Sequence, residues 1–420
     1  MTERHLPVRP DLDQLKNQAK DLLHAIHSGD PSAIAEFEAN HPEKIDPASV
    51  TLADAQLALA RAYQAPSWPR LVHACQVVEA IWNDDLETVR QLVTKYPNLL
   101  HESATIRESN WGPPMSYAAN LGRDRIIEML RELGATDVMY AFNRAVLQSK
   151  VDTARRLYEM AGRPRLGDNA LTDAAYTLSV PGTRLLFEFG ARVYGDGGQR
   201  LAAVDVVLET DSRKPQAKHE ILEMYAQHGF KLPDTPTMAF HRGRIDLLEE
   251  YLRRDPNLLQ RTFAFDEIYP PEMGCHDEVL ATHGTPLAGA TLLHMAIDYD
   301  EMEIAKWLLD RGMNVDTKAA VDADGFGGHT ALFATVVSQP NFWMNFQHKP
   351  QVAPYTELLL AHGADPRARA SLRKQLHPGY GDGTMHEYRN VTPVEWGERF
   401  HRKIFVSEPA IAMISQNCGK

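Results

Sequence analysis

Residues 289–314, GATLLHMAIDYDEMEIAKWLLDRGMN, decide how the whole chain is read. Thr291 is placed to cap a helix whose apolar positions Leu292, Leu293, Ala296 and Ile297 form one buried stripe. Asp300 and Glu301 mark a turn. A second stripe, Ile304, Ala305, Trp307, Leu308 and Leu309, makes another short helix, with Arg311 as its C-terminal cation and Gly312 as its left-handed stop. Neither helix is long enough to be stable alone, and weaker copies of the pair recur on both sides.

This unit resembles the ankyrin repeat, whose pattern runs G-x-T-P-L-H-x-A, then a turn, then L-L-x-x-G. The matching residues are Gly289, Thr291, Leu293, His294, Ala296, Leu308, Leu309 and Gly312. Leu292 stands where the pattern has Pro, a mild departure because a first-turn Pro mainly pre-sets φ. The resemblance implies an all-α fold, an ankyrin-repeat α-solenoid of about nine helix pairs with an N-terminal helical cap. It also implies a role in binding other macromolecules, and it makes His294 a structural residue that hydrogen-bonds backbone between neighbouring repeats.

The Gly that ends the second helix lies 21 residues after Thr291, and the same interval separates Pro113 from Gly134 and Asn169 from Gly190. Two other units end in Pro-Asn-Leu-Leu, at 97–100 and 256–259, which places anchors near Cys75 and Asp234. Tyr140 and Gly198 anchor two degenerate units, and Thr330 and Thr392 the last two. The first 70 or so residues do not match the repeat. There, Asp11 caps a helix with Leu12, Leu15, Ala19, Leu22, Leu23 and Ile26 on one face, Asp30-Pro31 starts a second, and Thr51 with Asp54 starts a third. The block is similar to the helical segment before the repeats of bacterial ankyrin-repeat proteins. The expected organisation is a helical cap over 1–70, repeats with short fingers over 71–261, and repeats with long finger insertions over 262–420.

Composition narrows the function. A 420-residue chain is too long for one compact core, and 44% hydrophobic with 24% charged residues suits a folded protein. A net charge of −12 counts against a nucleic-acid groove, which needs a basic surface. Three cysteines, Cys75, Cys275 and Cys418, are odd in number and far apart, so no disulfide framework is expected. With no signal-like N-terminus and no run of 18 apolar residues, the expectation is a cytoplasmic protein with no membrane partner. Phosphate-loop, dinucleotide, nucleophile-elbow and H-E-x-x-H motifs are missing from the sequence, so no cofactor is expected.

The C-terminal third has grown loops, and solenoid insertions commonly decorate a binding face. Gly363 lies 33 residues after Thr330 rather than 21, so the excess around 339–352, with Phe342, Trp343 and Phe346, is expected to project between two helices. The insertion 262–286 holds five acidic residues and no Lys or Arg. Its Cys275, His276, Asp277 and His283 are metal-ligand types, but their spacing matches no dedicated motif and no metal is expected. The insertion 367–390 is basic, with Arg367, Arg369, Arg373, Lys374 and Arg389 against Asp382 and Glu387, and Asp324-Gly325-Phe326-Gly327-Gly328 lies between the two. Such fingers either close as a lid or pair off as salt bridges.

In ankyrin proteins the residues seven and eight after the Thr anchor, and the one before it, face the concave groove. Carried over, the resemblance makes Tyr176, His241, Arg242, Asp298, Tyr299, His329, Arg399 and Phe400 the binding candidates, with the side chains of Arg242, Asp298, Tyr299, His329 and Arg399 expected to be exposed. The leading expectation is a binding protein that takes a protein partner through this groove and the C-terminal fingers. The alternative is an enzyme whose fingers form a small-molecule or carbohydrate pocket, with His276, Asp298, Tyr299, His329 and His386 as acid–base groups. His377, Tyr380, Asp382, His386 and Glu387 share one loop suited to the same chemistry.

Overall fold

The computed structural model describes residues 4–106 and 109–418. Its contacts fall into two units, 1–166 and 167–420. Both are built of short helix pairs, so the architecture is a mostly helical, repeat-like α-solenoid.

The first unit begins with three helices, Leu12–His27, Pro31–Asn40 and Leu52–Ala62. Asp11 caps the first by accepting from the Asp13 and Gln14 amides, Asp30 caps the second, and Thr51 with Asp54 closes a capping box on the third. Leu22, Ile26, Phe37, Ala55 and Leu59 close a core between them. The pairs Trp68–Trp82 with Leu86–Lys95, Pro114–Leu121 with Asp124–Glu132, and Val138–Leu147 with Val151–Met160 follow.

In the second unit the pairs are Thr172–Tyr176 with Val180–Glu188, Val204–Glu209 with Pro215–Gln227, Pro236–His241 with Ile245–Arg254, and Leu292–Asp298 with Met302–Asp310. Two more start at Ala331–Val336 and Pro393–Arg399 and end with Pro354–Ala361 and Glu408–Asn417. Helices of five to ten residues are marginal by themselves. They hold because Leu292, Leu293, Ala296, Ile297, Ile304, Leu308 and their counterparts are buried against neighbouring pairs.

His294 ties one pair to the next. Its Nδ1 accepts from the Thr291 amide at 3.3 Å and lies 2.9 Å from the Thr291 hydroxyl. The proton is therefore on Nε2, which donates to the His329 carbonyl at 3.1 Å. His329 in turn donates from Nε2 to the Pro286 carbonyl at 3.1 Å.

Helix starts at Pro114, Leu292, Ala331 and Pro393 directly follow the anchors read from sequence. In the other units the register is different. Cys75 and Tyr140 lie inside helices Trp68–Trp82 and Val138–Leu147. Helix Val204–Glu209 begins well after Gly198, helix Thr172–Tyr176 three residues after Asn169, and Thr235, not Asp234, caps Pro236–His241. A cap read by counting back from a stop drifts wherever the turn between the helices changes length. The Pro-Asn-Leu-Leu stops are 3-10 turns, Pro97–Leu100 and Pro256–Gln260, which end the preceding helix by burying Leu99, Leu100 and Leu258.

The C-terminal insertions fold back onto the repeats. Residues 339–346 form a helix of their own, Gln339–Phe346, with Phe342 buried and stacked on Phe405 at 5.0 Å; only Phe346 remains well exposed. Within 367–390 a two-stranded antiparallel hairpin forms, β1 (Ala370–Gln375) and β2 (Met385–Val391), in the register Leu372↔Tyr388 and Lys374↔His386. Arg373 pairs with Asp322 and Asp324 of the Gly-rich finger at 2.8 and 2.9 Å, and Gly327 bridges to Ser371.

Candidate functional site

The second unit contains a buried charge centre built on the turn after helix Leu292–Asp298. The segment Thr210–Lys218 inserts two cations against it. Arg213 Nη2 is 2.9 Å from Asp298 Oδ2, and its Nε donates to the Asp298 carbonyl at 2.9 Å. A third bond goes to the Thr210 carbonyl. Lys218 Nζ is 2.9 Å from Glu301 Oε1, which His219 also approaches at 2.6 Å. The Tyr299 ring is flanked by the Arg213 guanidinium at 4.6 Å and the Lys218 ammonium at 4.2 Å. Its hydroxyl donates to the Leu208 carbonyl at 2.8 Å and lies 2.7 Å from the Tyr269 hydroxyl.

The charges balance, two cations against two carboxylates, and burial sets their titration. Burial lowers the Lys218 ammonium, with Glu301 opposing the shift. Glu301 resists the upward push of burial and is held below the usual carboxylate range by Lys218 and His219. Burial lowers Arg213 too, but Asp298 and the neighbouring tyrosines more than restore it. Burial also pushes the Tyr299 and Tyr269 phenols up. In a low-dielectric interior such a set persists only with every charge paired.

Around this centre the insertions supply a polar surround. Tyr380 donates to the Asp211 carboxylate, whose backbone carbonyl accepts from Trp343 Nε1 at 2.7 Å. The His283 ring lies 4.1 Å from that of Tyr380, tilted by 36°, and its Nδ1 is 3.2 Å from Gln339 Oε1. Burial holds the His283 imidazole down at about 3, helped by Lys374 and Arg213. Lys374 donates to the Thr282 carbonyl at 2.8 Å with Glu278 at 3.8 Å. A Cβ on Gly284 would sit 2.8 Å from Ser338 Cα and 2.9 Å from Asp298 Oδ1, so only glycine lets this turn press against the centre. Asp298 Oδ1, Thr282 Oγ1 and Gln339 Nε2 are buried without a hydrogen-bond partner among the described residues.

The residues singled out from sequence separate into three groups. Asp298, Tyr299 and His241 come together inside this centre, where His241 lies 4.9 Å from the Tyr299 ring and bonds the Ile268 carbonyl at 2.9 Å. They are buried, as are His329 and Phe400, so the exposure expected of Asp298, Tyr299 and His329 does not hold. The grown insertions cover that end of the repeats. Arg242 pairs with Glu223 at 2.6 Å and Arg399 lies 3.8 Å from Glu395, while Tyr176 is 55% exposed. His276 bonds Glu209 at 2.7 Å and His386 bonds Asp382 at 2.8 Å, so the acid–base candidates have separate partners. Among the described residues the metal-ligand types that converge are Asp382, His386 and His401, not Cys275, His276, Asp277 and His283.

Sequence reading did not single out Arg213, Lys218, Asp211 or Gln339. Arg213 sits in an unremarked Ser-Arg-Lys-Pro loop with no periodicity to flag it. Lys374 does carry a signal: β1 alternates buried and part-buried, and Lys374 follows Ala370 and Leu372 on the buried face. A lysine in that position needs a polar receiver.

The ankyrin repeat profile matches residues 288–317. No protein of curated function matches the chain. Among solved structures, the human ASB11 ankyrin repeat domain is 16% identical, covering 72% of this chain and 97% of its own, with a TM-score of 0.27. The ankyrin repeat domain of Bcl-3, a member of the IkappaB protein family, is 18% identical over 67% of this chain and 99% of its own, at TM-score 0.23. A structure of the Bd0816 predatory endopeptidase from Bdellovibrio bacteriovorus in complex with immunity protein Bd3460 gives 16% identity, 61% and 88% coverage, and TM-score 0.17. Among the described residues no helix is long and apolar enough to cross a membrane. With Thr291, His294 and Gly312 in their places, the chain carries an ankyrin-repeat segment at 288–317 within a repeat-like α-solenoid, a fold related to that of ankyrin-repeat proteins.

Proposed function

We propose that this chain is a protein-binding scaffold of ankyrin type, nine helix pairs behind an N-terminal helical cap, that takes its partner at the edge built by its C-terminal insertions. One observation carries the reading. Phe346 and Tyr176 are 58% and 55% exposed at the border of the buried charge centre. Trp343, beside Phe346 at 5.9 Å, is anchored on Asp211, and Asp211 also fixes Tyr380. Exposed aromatic side chains on a rigid base are the usual anchors of protein interfaces, because they bury large area with little loss of rotamer freedom. Tyr299 is not an anchor in this reading; it is part of the base. Three cysteines without disulfide bonds suit a reducing, cytoplasmic setting.

The test is affinity capture with the full chain, followed by equilibrium binding of the recovered partner to the wild type and to a Tyr176→Ala/Phe346→Ala variant. The variant should melt with the wild type and bind at least tenfold more weakly, about 1.4 kcal/mol. Equal affinity would move the interface away from this edge. The unpartnered Asp298 Oδ1, Thr282 Oγ1 and Gln339 Nε2 favour a second reading, in which the same edge admits a small polar ligand. Competition of such a ligand with the captured partner separates the two.

A further inference from the structure

The β1–β2 hairpin and the end of helix Pro393–Arg399 bring three metal-ligating side chains together at the surface. Asp382 lies in the connection between the strands, His386 is on β2, and His401 follows the helix. One ligand atom from each lies within 4.8 Å of the other two. We infer that Asp382, His386 and His401 form a binding site for a divalent transition-metal ion of the zinc class.

The donor set selects the ion. Two imidazoles and a carboxylate are the ligands of three-residue zinc sites that keep a fourth position for water, whereas calcium and magnesium prefer all-oxygen shells. The surroundings also orient the donors. The Thr384 amide donates to Asp382 Oδ1 at 3.0 Å, leaving Oδ2 directed at His386 Nε2, 2.8 Å away. The Thr384 hydroxyl is 3.0 Å from the same nitrogen.

His401 supplies the independent observation. Its Nδ1 is 2.7 Å from the Tyr388 hydroxyl, which also accepts the His401 amide at 3.1 Å. Its Nε2 is buried and has no hydrogen-bond partner among the described residues. A ring nitrogen withdrawn from water without a partner is costly, and a bond to a metal ion removes that cost. With Nε2 on the ion, Nδ1–H donates to the Tyr388 oxygen, the outer hydrogen bond that metal-bound histidines ordinarily make.

The ligands are close to the spacing needed. Donor atoms of a tetrahedral zinc site stand about 3.3 Å apart, from bond lengths near 2.0–2.1 Å. The two imidazoles are stacked at 3.9 Å with a 12° interplanar angle, so loading turns His386 about its soft χ2 and exchanges its bond to Asp382 for one to the ion. Asp382 is exposed, which gives the ion a route in. Occupancy would pin the hairpin to the last helix pair.

The test uses the full chain stripped with a chelator, titrated with Zn²⁺ by calorimetry and with Co²⁺ by visible absorption. The expected result is one tight Zn²⁺ per chain and tetrahedral Co²⁺ bands. Asp382→Asn and His401→Asn should each weaken binding at least tenfold, Tyr388→Phe about tenfold, and Cys275→Ser not at all. Asp382 lies on the surface, so its variant keeps the test decisive should His401→Asn fail to fold. Zinc binding by Asp382→Asn as tight as by the wild type, or no zinc binding by folded wild type, overturns the assignment.

Discussion

Replacing Arg213 by Met should cost the second unit about 3–5 kcal/mol, the penalty of breaking a buried ion pair from one side. The side chains of Arg213 and Asp298 are 2% and 1% exposed. Methionine nearly fills the space, so the loss comes mainly from the stranded carboxylate and less from a cavity. Asp298 Oδ1 already lacks a partner, and without Arg213 Oδ2 loses the 2.9 Å bond as well. Asp298→Asn alone strands the guanidinium and should cost a similar amount. The double variant removes both charges and should fall well short of the sum, with a coupling of at least about 2 kcal/mol. Urea unfolding followed by tryptophan fluorescence measures all four proteins. Additive single losses, or an Arg213→Met loss under about 1 kcal/mol, would refute the view that this pair is a closed, desolvated unit.

Two further predictions concern stability. Leu293→Ala should cost about 2–5 kcal/mol and loosen neighbouring pairs as well, because Leu293 is buried between them; amide exchange that rises only within 291–312 would contradict this. Acid should unfold the protein early: burial holds His294 at about 4 and both His283 and His329 at about 3. These folded-state values lie below the unfolded imidazole value of about 6.5, so stability is complete above that pH and falls as pH drops toward the folded values. The slope is roughly 1.4 kcal/mol per pH unit for each histidine. Uptake of less than one proton on unfolding at pH 5.5 would be inconsistent with three buried neutral imidazoles.

Much of the repeat architecture is legible without coordinates because it is local. Thr51 with Asp54, Thr392 with Glu395, and Thr291 with His294 are caps written within four residues, and each starts a helix where the sequence places it. The stop at Gly312, with φ +87°, is equally local. Where a unit lost its capping residue, as at helices Val138–Leu147 and Val204–Glu209, the anchors read at Tyr140 and Gly198 miss the helix start.

The candidate site was legible only in part, for a physical reason. Asp298, Tyr299 and His241 could be named because each has a fixed place in a repeated unit. Their burial could not, since it depends on insertions whose conformation no repeat dictates. Arg213 meets Asp298 across 85 residues, Lys374 meets Thr282 across 92, and Tyr380 meets Asp211 across 169. Pattern in the sequence determined that the chain forms helix pairs and placed the caps at Thr51, Thr291 and Thr392, and the family resemblance implied the backbone bond of His294, all set by neighbours along the chain or one repeat away. The tertiary structure alone decided that the longest insertions fold back, close over the turn at Asp298 and turn a row of expected surface residues into a buried, charge-balanced centre. Only three-dimensional packing removes water from those charges, and that removal makes their pairing obligatory.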